Sequence, residues 1–132
     1  INYAPGWNPR RESPPQNVMV TSGCYDEQTP HRTATAMAIA GRVPLIEPSA
    51  MESDLYNLAQ LPTLAAPVSS NVDESTTAGF LQWCGSVTQP AQSNHFLIFN
   101  RAEAIHASMQ FLKTGLTEES AVIEREPGAD VK

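Results

Sequence analysis

Residues 94–115 (NHFLIFNRAEAIHASMQFLKTG) limit what this chain can fold into more than any other stretch. An uninterrupted apolar run at 96–99 is followed by Asn100, with Glu103 three positions later. Four consecutive apolar residues suit a short strand buried on both faces. An asparagine with a glutamate three residues on is a reciprocal helix cap, and the glutamate also complements the positive end of the helix dipole. Ala102, Ile105, Met109 and Leu112 then recur at helical spacing. This predicts a helix over 101–113 with that stripe against the core, stopped by Gly115 in a left-handed conformation.

The same capping signature occurs twice more, as Ser49 with Glu52 and Asn71 with Glu74. It predicts a helix over 50–60, with Met51, Leu55, Leu58 and Leu61 on or near one face, ending before Pro62. A second helix is predicted over 72–84, presenting Phe80, Trp83 and Cys84 and ending at Gly85. Between them Pro62 and Pro67 mark a loop, and 86–93 is a polar loop. The run at 17–21 (NVMVT) is β-branched and predicts a strand. Over 29–41 two signals conflict: Thr29-Pro30 starts a helix and alanine favours one, while threonines and larger apolar residues alternate at a strand period. Helix is the expectation. Pro44 and Pro48 impose an extended link over 42–48. Residues 116–126 suit a short last helix or an edge strand through Ala121, Val122 and Ile123. The expected fold is α+β: one small helix-rich domain with a few short strands over 17–126, preceded by an extended arm at 1–16 and followed by a flexible tail at 127–132.

The arm holds Pro5, Pro9, Pro14 and Pro15, which favour extended or polyproline-like chain. Tyr3 and Trp7 are bulky rings for a tether; they either cover their own domain or dock on a neighbouring chain. The chain starts at Ile1, which is read as a processed start or a segment cut from a longer polypeptide. Eight Lys and Arg oppose fourteen Asp and Glu, for a net charge of −6. So few cations disfavour nucleic-acid binding, and no apolar run is long enough to span a membrane. Cys24 and Cys84 match no zinc spacing; they are either paired across the fold or both buried thiols.

Motifs for chemistry are sparse. The chain lacks GxGxxG, GxSxG and HExxH. Cys84, His95 and His106 are the catalytic candidates, since a histidine beside a thiol supplies the base that makes a thiolate. Such a pair needs a third group to orient the imidazole, and Asp26 and Asp73 are available. A partly buried histidine bonded to one carbonyl is the plainer account of His106, and a loop-edge residue that of His95. No metal site or cofactor is expected. The glutamates at 118, 119, 124 and 126 read as a solvated acidic face. The leading expectation is a non-enzymatic structural or assembly subunit of a large protein shell such as a virion. Tyr3, Trp7, Arg10 and Arg11 would be its contact residues and other protein chains its partners. A small enzyme using Cys84 with His95 or His106, or a small-ligand binding module, is the alternative.

Overall fold

A computed structural model describes residues 16–49, 53–85 and 94–125. The fold is α+β, small and helix-containing as expected, while the Pro-rich arm and its contact candidates Tyr3, Trp7, Arg10 and Arg11 lie outside the described residues. The strands are β1 (Val18–Gly23), β2 (Leu45–Glu47), β3 (Thr63–Ala65), β4 (Val68–Ser69), β5 (Ala78–Trp83) and β6 (Val122–Ile123). The helices are α1 (His31–Ala40), α2 (Ser53–Leu58), α3 (Leu97–Asn100) and α4 (Ala102–Thr117). Four strands form a parallel sheet in the order β1-β5-β2-β3, and β4 pairs with β6 antiparallel.

Strand alternation divides the core into two layers. Val18 and Val20 of β1, Leu45 of β2, and Ala78 and Phe80 of β5 pack with Ala34 and Ala38 of α1 and Tyr56 of α2. Met19, Ile46, Leu81 and Trp83 point the other way, against Leu97 of α3, Ala104 and Ala107 of α4, and Ile123 of β6. With both faces covered, all six residues of β5 are buried, as a central parallel strand requires.

That position overturns the helix predicted over 72–84. Asn71, read as its cap, holds the loop instead: its amide oxygen accepts from the Ala78 amide and its Nδ2 donates to the Ala78 carbonyl, both at 2.9 Å. Asp73 accepts from the Ser75 amide, a local turn that competes with helix. Ser49 Oγ donates to Gln82 Oε1, while Glu52 and the start of the helix it was expected to cap lie outside the described residues. The third cap differs. Asn100 ends α3, while Arg101 is the N-cap of α4, with no side-chain cap bond. In α2 the buried residue is Tyr56, whose hydroxyl donates to the Val43 carbonyl at 3.0 Å; Leu55 and Leu58 are exposed.

The expected strand at 96–99 is a helical turn, α3, with the amides of Phe99 and Asn100 both donating to the Phe96 carbonyl. Only Leu97 is buried there; Phe96 and Phe99 face out. Residues 29–41 are the helix expected, and 116–126 carries the strand alternative as β6. The loop expected at 61–70 contains β3 and β4. Gly115 does not stop α4, which runs on to Thr117. A Cβ there would lie 3.3 Å from that of Ala121, so its small size lets the chain return closely into β6.

The largest reversal concerns the stripe on α4. Ala104, Ala107 and Thr114 form its buried side, whereas Ile105, Met109, Leu112 and Leu116 are exposed. Small residues let the helix approach the sheet, Phe111 packs partly buried against the core, and the row from Ile105 to Leu116 is left on the outside.

Candidate functional site

Because its four strands run the same way, the sheet gathers their carboxyl ends along one edge, the usual place for sites in open parallel sheets. Cys24 follows β1 and Cys84 follows β5. The strands are in register up to Gly23 and Trp83, so the next residues are level, their Cα atoms 4.8 Å apart, and they form a disulfide. This decides between the two states open from sequence. It also removes Cys84 as a nucleophile in this state, since a bridged sulfur has no thiolate to offer.

His95 finds a different partner. A Cβ at Gly23 would collide with the Asn94 carbonyl, so this glycine lets residues 94 and 95 lie against the end of β1. There His95 Nδ1 sits 2.9 Å from Asp26 Oδ2, and the ring meets Phe96 edge-on. The other Asp26 oxygen accepts from the Gln28 and Thr29 amides at 2.8 and 3.0 Å. Burial by itself would raise the Asp26 pKa, but those amides and the His95 ring outweigh it and hold the carboxyl below its ordinary value. Between the bridge and the carboxylate, Tyr25 takes a left-handed backbone at φ 57°, a costly conformation for a bulky residue.

A buried carboxylate on Nδ1 fixes the imidazole and leaves Nε2 as its second proton site, the orientation used in acid–base dyads. Asp26, one of the two orienting carboxylates available from sequence, fills that role; Asp73 stays in its loop. His106 does not join them: its Nε2 lies 3.4 Å from Glu124 Oε2, and both side chains are a little under half exposed. Among the described residues no group of three or more His, Cys, Asp or Glu is placed to hold a metal.

The Asp26 charge gives a signed prediction. A carboxyl with a lowered folded pKa stabilises the fold above its unfolded value, about 3.9, and that contribution disappears as pH falls through the folded value. Asp26→Asn is expected to cost roughly 1–2 kcal/mol at pH 7. The gap to the unsubstituted chain should close below about pH 4, as read from urea midpoints across pH. A gap that stays constant into strong acid is the contrary result.

Further along the edge, the buried Trp83 ring lies near two cations. The Arg101 guanidinium carbon is 6.0 Å from its ring centroid and that of Arg125 is 4.8 Å away. Arg101 Nη1 donates to the Cys84 carbonyl at 2.6 Å and its Nε to Glu103 at 3.2 Å. Arg125 Nη2 donates to the Gln82 carbonyl at 2.9 Å. Sequence inspection missed both arginines and the tryptophan, for they come from three separated segments and no motif joins them.

The chain matches no family model, no curated protein and no solved structure. No helix among the described residues is long and apolar enough to cross a membrane.

Proposed function

We propose that the chain is an assembly module that pairs with a second copy of itself through the outer face of α4. The carrying observation is the exposed row Ile105, Met109, Leu112 and Leu116, the last three 61%, 57% and 84% accessible. The intervals are four, three and four residues, the spacing of a coiled-coil seam, which is completed by another helix with the same spacing. These side chains offer on the order of 500 Å² of apolar surface, more than half of the roughly 800 Å² per partner of a standard interface.

A second copy fits this surface because the row is self-complementary under a two-fold axis. Antiparallel apposition sets Ile105 opposite Leu116 and Met109 opposite Leu112. It also brings the end of the helix carrying Arg101 towards Glu118 and Glu119 of the other copy and opposes the two helix dipoles. A parallel pair would align like charges.

Sedimentation of three chains tests this reading: the unsubstituted chain, the Leu112→Glu/Leu116→Glu variant, and a chain lacking residues 1–16. Dimers are expected for the first and third. The double variant should dissociate with a Kd at least tenfold weaker, about 1.4 kcal/mol. If the arm deletion dissolves the dimer and the double variant keeps it, the contact belongs to Tyr3, Trp7, Arg10 and Arg11 instead. A chain that is monomeric at every concentration defeats both.

A further inference from the structure

Away from the α4 face, the edge of the sheet holds more hydrogen-bond donors than it uses. Arg125 is 9% exposed, and its Nε and Nη1 have no hydrogen-bond partner among the described residues. The Trp83 indole N–H, on the ring beneath the same guanidinium, is also buried with no acceptor among the described residues. A guanidinium carries only donors, and a buried charged donor left unpaired is costly to keep. Arg101, a second cation on the same ring, adds repulsion, not relief. Burial first, and Arg101 next, hold the Arg125 pKa below its ordinary value, with Glu47 at the end of β2 acting against them. The chemical complement of this cluster is an acceptor-only group with negative charge.

We propose that Arg125, Arg101 and Trp83 form an oxyanion site at the carboxyl end of β5, taking a small carboxylate or phosphate group. Each residue has a defined part. Arg125 is anchored by the Gln82 carbonyl through Nη2, which leaves its remaining edges for the ligand. Arg101 has a side chain 21% exposed, so the pair of cations reaches from solvent to the buried indole. The indole N–H supplies a neutral donor. The placement agrees with the general preference of ligands for the carboxyl ends of parallel strands. The two readings share only Arg101, at the N-cap of α4; Arg125 and Trp83 lie off the apolar row, so the anion response is tested separately from self-association.

The test is titration of the full chain with sodium phosphate and, separately, sodium acetate, at ionic strength held constant with chloride. The readout is the indole N–H resonance of Trp83, distinguished from that of Trp7 by a Trp7→Phe variant. A saturable shift of the Trp83 resonance with either anion is expected, and the anion that produces it identifies the class bound. Arg125→Gln should weaken the response at least tenfold and Arg101→Gln several-fold. If Arg125→Gln fails to fold, Arg125→Lys and Arg101→Gln carry the comparison. The proposal is overturned if neither anion shifts the resonance beyond the chloride control. It is equally overturned if the shift survives unchanged in the folded arginine variants.

Discussion

Breaking the Cys24–Cys84 bridge is expected to remove about 4 kcal/mol of stability, a large share of what so small a domain possesses. The bridge joins residues 60 apart, so reduction releases a long loop in the unfolded chain. Both cysteines are buried and sit at the ends of two adjacent parallel strands, and the Cys24 amide donates to the Trp83 carbonyl at 2.8 Å. The native contacts around the bridge should therefore change little, and the loss should arise chiefly in the unfolded ensemble. Urea unfolding of the oxidised chain, the reduced chain and the Cys24→Ser/Cys84→Ser variant measures this. The two bridgeless forms should agree with each other and unfold at much lower urea. Coincident curves for all three would show that the bridge contributes nothing.

Phe80→Ala is expected to cost about 3–5 kcal/mol, whereas Phe99→Ala should stay within about 0.5 kcal/mol. The local sequence signals place Phe80 on a helix capped at Asn71, and Phe99 in a strand buried on both faces. In the structure Phe80 is fully buried at the centre of the sheet, stacked near Tyr56 with ring centroids 6.3 Å apart. Phe99 is 67% exposed on α3. Thermal or urea denaturation of the two variants separates the accounts. Equal losses, or a larger loss from Phe99, would contradict the assignment of β5 to the interior.

Two local signals were outweighed, for different reasons. Asn71 has the side chain a cap requires, but the fold gave its polar atoms another partner, in Ala78. A capping pattern states what a side chain is able to satisfy, not which orphan group will be nearest. The apolar run at 96–99 failed differently: four residues are too few to distinguish a strand from a helical turn, and α3 packs beside an edge strand without joining the sheet. The helix at α1 was legible despite its strand-like alternation, since Pro30 and the alanines spaced along it agree with one buried face.

The candidate site was legible only in fragments. Asp26 and His95 were each identifiable as chemically capable, and Asp26 was one of two carboxylates able to orient the ring. Their pairing depends on Gly23 admitting the Asn94 backbone to the end of β1, a contact between segments some seventy residues apart. Arg125 gave no local sign at all. It is one arginine in an acidic segment, and its burial follows from β6 carrying it back beneath β5.

For residues 94–115, a helix after Asn100 follows from local chemistry, because helical spacing and propensity act within a few turns. So does the regular recurrence of apolar side chains along that helix. Which side of the helix meets the core depends instead on the packed fold. Ala104, Ala107 and Thr114 allow a closer approach to the sheet than Ile105, Met109 or Leu112 would, and that choice rests on the shape of a surface built from distant strands. The same holds for the bridge and the arginine pair: local chemistry prepared the groups, and the order of the strands brought them together.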